Sequence, residues 1–122
     1  MTNYAYLNVN PYGDEEQDCV TRAISLGLRI DYDTVQKMLE MAGSAYRCDM
    51  LSVDCYSNLL SGVFGLKKRY VDYKKTVEQI AREYCDRILI IRIHGHLTCS
   101  YFGTVYDIWD CTQEEVDCFW II

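Results

Sequence analysis

The sequence predicts an α+β domain in which helices come first and an antiparallel sheet follows. Apolar residues recur at helical spacing through most of the first two-thirds of the chain. Residues 87–94 then form a nearly continuous apolar, β-branched run, typical of a central strand buried on both faces. A hairpin pattern and a final apolar strand over 116–122 complete the sheet. Because 122 residues suit one compact unit, we expect a single domain over residues 1–122.

Composition and charge limit the classes of partner. The chain has 18 acidic and 12 basic side chains, which gives a net charge of −6. Such a balance disfavours binding to nucleic acid, which needs a basic patch. No run of about 18 apolar residues occurs, so we expect no membrane partner. The first residues lack the basic and apolar stretches of an export signal, so we expect a cytoplasmic protein.

The seven cysteines predict reduced thiols, most of them buried and inert. Their number is odd and no export signal precedes them, so a disulfide framework is not expected. No pair has a usual zinc-ligand spacing. A zinc site on His94 and His96 with Cys99 or Cys111 is the weaker alternative. We expect no metal and no cofactor.

The first helix is the most informative one. Residues 3–18 have turn composition and include a charged run at 14–16, so they are expected to be irregular. Helical spacing then begins at Cys19 and extends to about Leu28. Asp18 is the expected N-cap, its side chain accepting a hydrogen bond from a free backbone N–H. Arg22 has apolar neighbours on both sides and is interpreted as a solvated arginine or one paired with an acidic loop.

Three more helices are expected before the sheet. One starts at Asp31 or Asp33 and ends near Gly43, a plausible stop. A short helix follows from about Leu51 and is broken at Gly62 and Gly65. Residues 67–71 are a candidate edge strand, because their basic side chains would blunt a sheet edge. The last helix starts at Thr76, where the sequence fits a capping box.

The candidate chemistry lies at Cys19 and at the two histidines of the chain. A thiol attacks only as the thiolate, which the N-terminus of a helix stabilises. His94 and His96 lie at the start of the predicted hairpin, and a neighbouring imidazole can accept and return the proton. His96 is the preferred base and His94 the alternative.

The hairpin register selects a third residue. A loop centred on residues 102–103 places His96 opposite Trp109 and Asp107 opposite Thr98. Asp107 then becomes a diagonal neighbour of His96 on the same face. Asp110 has the opposite parity and is the reserve, because a slip of one residue would exchange the two.

Two segments of the chain resemble a known family. The first runs Asp18-Cys19-Val20-Thr21-Arg22-Ala23-Ile24, and the second contains Gly95-His96-Leu97 followed by Val105-Tyr106-Asp107-Ile108-Trp109-Asp110. They are similar to the DCV-x-RAI opening and the GHL … G-x-VYD-x-WD ending of small papain-like proteins common in phages and bacteria. The resemblance spans about residues 10–120. It implies the papain-like cysteine peptidase fold, with a nucleophile helix packed against an antiparallel sheet that carries His and then Asp or Asn.

The resemblance also implies residue roles. Cys19 matches the nucleophile, His96 the base and Asp107 the acid that orients the imidazole. Papain-like peptidases often place a Gln about six residues before the nucleophile to hold the oxyanion, whereas this chain has Gly13 there. Gln17 or Asn10 could replace that amide, and the backbone N–H of Cys19 would be the other donor.

Two functions are therefore expected from the sequence. The first is a phage-encoded, cysteine-dependent acyl-transfer hydrolase, peptidase- or isopeptidase-like, acting on a peptide or protein substrate. The second is a catalytically silent protein of the same fold that binds a host or phage partner. The acidic composition and the missing upstream Gln favour the second, and the paired motifs favour the first.

Overall fold

The structure is a computed structural model that describes residues 3–13 and 17–122. The predicted charged run at residues 14–16 lies outside the described residues. The helices are α1, α2, α3 and α4, at Cys19–Leu28, Tyr32–Tyr46, Val53–Ser57 and Val77–Glu83. A π-helical segment, Asn58–Val63, follows α3 directly. The strands are β1 to β6, at Tyr4–Tyr6, Lys67–Tyr70, Ile88–Ile93, His96–Tyr101, Thr104–Asp107 and Val116–Ile121.

The six strands form one sheet in the order β1-β5-β4-β3-β6-β2. All neighbouring pairs are antiparallel except β1 and β5, which are parallel. The α+β class is thus confirmed. The prediction of a wholly antiparallel sheet from the C-terminal part of the chain is wrong, because two edge strands come from earlier segments and one of them is parallel. β1 adds a parallel edge strand from the N-terminus, where an irregular segment was predicted. β2 also precedes the last helix and forms the opposite edge, which confirms the predicted edge strand.

The sheet has a hydrophobic core on each face. One core joins it to the first three helices and contains Ile24, Leu39 and Trp120. The other joins the opposite face to α4 and contains Ile80, Ile91 and Phe119. Strand β3 contributes to both cores, as expected for a central strand buried on both faces. Because α1 packs directly on β4, its N-terminus comes close to the start of that strand.

Gly65 follows the end of the third helical segment with a positive φ, as predicted, but Gly43 and Gly62 do not end their helices. α2 continues past Gly43 to Tyr46, and the helix after it continues past Gly62 to Val63. A Cβ atom at Gly43 would lie 3.0 Å from the backbone oxygen of Cys48. Gly43 therefore permits the chain to fold back closely against α2, and it does not terminate the helix.

Other local predictions are confirmed. α1 has the predicted limits, Asp31 caps α2 by accepting a hydrogen bond from the Thr34 N–H, and Thr76 and Gln79 form the capping box of α4. All seven cysteines are free. In the part of the chain that the structure describes, every helix is too short or too polar to traverse a bilayer.

Candidate active site

Cys19 is the first residue of α1 and is half-buried. Asp18 precedes it, but contrary to the prediction its side chain makes no capping hydrogen bond to α1. Arg22, Asn10 and Tyr32 engage that carboxylate instead. The Asp18 side chain therefore does not neutralise the N-terminus of α1, whose partial positive charge favours a thiolate at Cys19.

His96 and Asp107 form a direct hydrogen bond across the hairpin. His96 Nε2 lies 2.7 Å from Asp107 Oδ2, and Asp107 is only 4 % exposed. The Ile108 N–H donates to the other carboxylate oxygen at 2.8 Å. Both oxygens of Asp107 are therefore held, and the carboxylate fixes the orientation of the imidazole.

The predicted register of the hairpin is confirmed. Strand β4 pairs with β5 so that Tyr101 faces Thr104 and Cys99 faces Tyr106. The turn between them has positive φ at Phe102 and Gly103, as a two-residue type I′ turn requires. Beyond the paired residues, the rings of His96 and Trp109 lie 5.0 Å apart in an edge-on contact.

The Cys19 sulfur lies within hydrogen-bonding reach of two groups on β4, the imidazole of His96 and the N–H of Leu97. Burial alone would raise the pKa of the Cys19 thiol, but these two hydrogen bonds outweigh it, so its pKa is lowered. Because Asp107 holds Nε2 of the ring, Nδ1 is the nitrogen left for the thiol. The arrangement favours transfer of the thiol proton to the ring.

The electrostatics of His96 and Asp107 are consistent with that transfer. Burial would lower the pKa of His96, but hydrogen bonds to Asp107, Cys111 and Cys19 overcome this and raise it to about 11. Burial would likewise raise the pKa of Asp107, yet the imidazolium holds it below its usual range. At neutral pH His96 and Asp107 are therefore expected as imidazolium and carboxylate, and the lowered pKa of Cys19 favours its thiolate form.

The reserve residues do not join the cluster. His94 lies exposed in the turn between β3 and β4. Asp110 is also exposed, and its Oδ1 accepts hydrogen bonds from the N–H and hydroxyl of Thr112. Of the two pairs of alternatives, the structure brings His96 and Asp107 to Cys19.

A buried ion-pair network centred on Arg22 contacts the Cys19–His96–Asp107 cluster through Asp107. The Arg22 side chain is 7 % exposed and bridges two carboxylates, Asp18 and Asp107. Its Nη2 lies 3.5 Å from Asp107 Oδ1. The solvated arginine that the sequence suggested is therefore wrong, although the pairing with an acidic group is right. The guanidinium neutralises two acids that would otherwise oppose a thiolate nearby.

The predicted oxyanion residues lie beside the cluster. The Asn10 amide donates to Asp18 at 3.0 Å, and its carbonyl oxygen accepts from the Tyr12 N–H. This buried residue therefore orients Asp18 and does not present its amide at the sulfur, contrary to the prediction. Gln17 is exposed and lines a depression shared with Asn10 and Leu51. Leu51 also lines the groove at Cys19, so Gln17 borders the site.

One set of atoms in the site could approach a cation. Ligand atoms of His96, Asp107 and Cys111 lie within 4.8 Å of one another. The predicted zinc alternative combined His94 and His96 with Cys99 or Cys111. His96 and Cys111 belong to this set, whereas His94 and Cys99 do not. A metal here would have to replace the proton that His96 and Asp107 share, and all three side chains are largely buried.

A groove of about 230 Å³ opens beside the sulfur. Cys19 and His96 line one part of it, and residues from the loop before α3 and from the end of β3 line the rest. A volume of this size accepts one or two residues of an extended substrate. The sequence did not identify these walls, because they come from three separate segments.

The fold and site define an α+β protein with a Cys–His–Asp cluster at the mouth of a groove. A scan of protein-family models and searches of curated proteins and of solved structures found no match to this chain.

Proposed function

We propose that this chain is a cysteine-dependent acyl-transfer hydrolase with a papain-like arrangement, acting on a peptide, isopeptide or related amide. The observation that carries the proposal is the placement of Cys19 and His96 side by side in one groove, where the imidazole lowers the pKa of the thiol and is in turn held by Asp107. Covalent acyl transfer requires a nucleophile in contact with a base, and an acidic group that orients the base. The order of helix nucleophile, then His and Asp on the sheet, is also that of papain-like peptidases.

The first half of the reaction forms a thioester. The Cys19 thiolate attacks the substrate carbonyl carbon, so a C–S bond forms and the carbonyl oxygen becomes an oxyanion. The backbone N–H of Cys19 is a donor for that oxyanion, and Gln17 is the candidate for a second. His96 then gives its proton to the leaving nitrogen, the C–N bond breaks and the amine departs.

The second half restores the enzyme. Neutral His96 takes a proton from water as the water oxygen attacks the thioester carbon. The C–S bond breaks, the acid leaves, and the thiolate–imidazolium pair returns. Asp107 keeps the ring in one orientation through both halves because its hydrogen bond to Nε2 does not depend on the substrate.

The test is the selectivity of alkylation. Iodoacetamide at a sub-stoichiometric dose should label Cys19 ahead of the other six cysteines, read by mass spectrometry of the peptides. His96→Ala should slow that labelling by roughly tenfold or more at pH 6.5 and move its pH inflection up towards about 8.5, the pKa of an ordinary thiol.

A matched pair of carboxylate variants separates the site from the general charge of the protein. Asp107→Asn should slow labelling of Cys19 at pH 6.5, because the imidazolium loses its counter-charge. Asp110→Asn removes the same charge from an exposed residue three positions later and should leave the rate unchanged. Labelling spread evenly over the cysteines, or unaffected by His96→Ala, would remove the proposal.

A catalytically silent interaction protein is the alternative. One observation favours it: the Asn10 amide donates to Asp18, which leaves the exposed Gln17 as the side-chain candidate for the oxyanion. An oxyanion donor contributes on the order of 10²–10³ in rate. In that case Cys19→Ser would leave partner binding and any cellular effect intact. Loss of the effect in a folded Cys19→Ser protein would favour the enzyme.

A further inference from the structure

The groove beside Cys19 contains a guanidinium that the proposed reaction does not use. Arg92 lines the groove together with Cys19 and His96. It pairs with Leu97 across β3 and β4, and Leu97 belongs to the core on the α1 side of the sheet. Arg92 therefore lies on the same side of the sheet as the nucleophile helix, near the end of β3.

The recorded ion pair of Arg92 is a weak one. Its Nη2 lies 3.9 Å from Asp117 Oδ2, and the two side chains are 32 % and 46 % exposed. Pairs of this length and exposure contribute little to stability. Arg92 also hydrogen-bonds to the sulfur of Cys118, which is a weak acceptor. A carboxylate in the groove would replace this sulfur contact and the long ion pair with two parallel N–H···O bonds, so the guanidinium can turn towards it at small cost.

The rest of the groove suits a short apolar segment next to a carboxylate. Its walls are mainly apolar and come from Leu51, Val53, Tyr56 and Ile93. Burial raises the pKa of Tyr56 to about 12, so its hydroxyl remains a neutral donor at physiological pH. The charge of Arg92 opposes that rise, and both side chains line the groove.

We infer that the groove selects substrates with a carboxylate close to the scissile amide, held by the guanidinium of Arg92. The carboxylate is either an acidic side chain or the free C-terminus of a short peptide. The net charge of −6 repels such substrates in general, so recognition needs a local cation of this kind. This inference rests on the proposed function, because it specifies the substrate class of the same site.

The first test compares two alkylating agents of similar size. Iodoacetate carries a carboxylate where iodoacetamide carries an amide, and both lose iodide to the Cys19 thiolate. Because His96 also attracts iodoacetate, the measured quantity is the ratio of the two labelling rates in wild type and in Arg92→Gln. We expect Arg92→Gln to lower that ratio about threefold at low ionic strength, and the difference to shrink in 1 M salt.

Arg69→Gln is the matched control, because it removes one positive charge from an exposed position on β2. It should leave the ratio unchanged within a factor of about 1.5. A purely structural role for Arg92 would lower the stability of Arg92→Gln to urea but leave the ratio of rates intact. That result, with Cys19 still labelled selectively, would overturn the inference and leave the proposed function standing.

Two further probes distinguish the sources of the carboxylate. Faster labelling by the chloromethyl ketone of N-acetylaspartate than by that of N-acetylasparagine, lost in Arg92→Gln, would identify an acidic side chain. Stronger protection of Cys19 from iodoacetamide by N-acetylalanine than by its amide, also lost in Arg92→Gln, would identify a free C-terminus. If neither preference depends on Arg92, the inference is wrong.

Discussion

At the scale of single residues, Arg22 is expected to contribute strongly to stability. Its guanidinium is buried between Asp18 and Asp107, and Asp107 holds the imidazole of the candidate base. A charge lost from such a network leaves its partners buried without compensation, which costs far more than the loss of a surface pair. Arg22 therefore connects the stability of the domain to the geometry of the site.

We expect Arg22→Met to lower the free energy of unfolding by about 3 kcal/mol, because two buried carboxylates lose their shared cation. Asp18 keeps its hydrogen bonds to Asn10 and Tyr32. The loss of stability should therefore lie at the lower end of the range for breaking a buried ion pair. Urea unfolding measures the difference. The control is Arg82→Met, which breaks an exposed pair with Glu78 on α4 and should cost about 0.5 kcal/mol. Equal losses in the two variants would contradict the bridging role.

The sequence predicts the three members of the cluster but not this support. Cys19, His96 and Asp107 could be predicted because the position of a residue in a helix and the register of a hairpin are local properties of the sequence. The spacing of Asp18 and Arg22, four residues apart on one helix, was a signal for a pair. That the pair would be buried and would reach Asp107 depends on how α1 packs against the sheet, which no local pattern contains.

At the scale of elements, the approach of α1 to the sheet positions the nucleophile. Gly27 lies on the buried face of α1, and a Cβ atom there would lie 2.8 Å from Cγ1 of Ile90 on β3. No real Cβ contact is that short, so a side chain at this position would push the helix or the strand aside. The close packing of the Ile90 and Ile122 side chains against the α1 backbone thus favours glycine at this position.

We expect Gly27→Ala to destabilise the domain by about 1–3 kcal/mol through overpacking, although alanine is the better helix former. Gly62→Ala is the matched control, since nothing lies within 4 Å of the added methyl group. It should be neutral or stabilising by up to about 1 kcal/mol. Thermal and urea unfolding of both variants test this, and a stabilised Gly27→Ala protein would contradict the tight packing.

Elements with a local signature were predicted well, and those defined by contacts were not. The capping box at Thr76 and the turn at Phe102 and Gly103 carry their own chemistry in the sequence. Strand β1 has only three residues, too few to show alternation, and it exists because it pairs with β5. Gly43 looked like a helix stop because the same residue serves turns and close contacts alike.

At the scale of the whole molecule, the sheet order explains why the site is formed from distant segments. Strand β6 lies between β3 and β2, and β1 closes the far side beside β5. In this order, neighbouring strands are often far apart in the sequence. The apolar pattern of a strand does not specify which other strand it pairs with. The class of the fold was therefore predictable, whereas the strand order and the groove were not.

The charge state of the site should appear in the pH dependence of global stability. The pKa of His96 is about 11 in the folded chain, against about 6.5 for an unfolded histidine. Below pH 6.5 both states hold the proton, so the imidazolium–Asp107 pair contributes fully. Above pH 6.5 the native state binds more protons than the unfolded state, so the contribution of this pair to stability falls as the pH rises towards 11. In acid, the lowered pKa of Asp107 means that stability falls once unfolded carboxylates protonate, near pH 4.

Folding also lowers the pKa of Cys19, and the proton that this releases offsets part of the proton taken up by His96, so the comparison is made in a Cys19→Ser background. There we expect the stability advantage of His96 over His96→Gln to be largest between about pH 4.5 and 6 and to shrink by on the order of 1 kcal/mol by pH 9. Urea unfolding across this range measures it. His94→Gln removes a histidine that lies exposed in the turn two positions earlier, and subtracting its effect isolates the buried ring. An advantage that grows with pH would mean that His96 is neutral in the folded protein. The thiol would then lack the cation that makes it a nucleophile, since the helix N-terminus alone is a weaker source of stabilisation than a paired imidazolium.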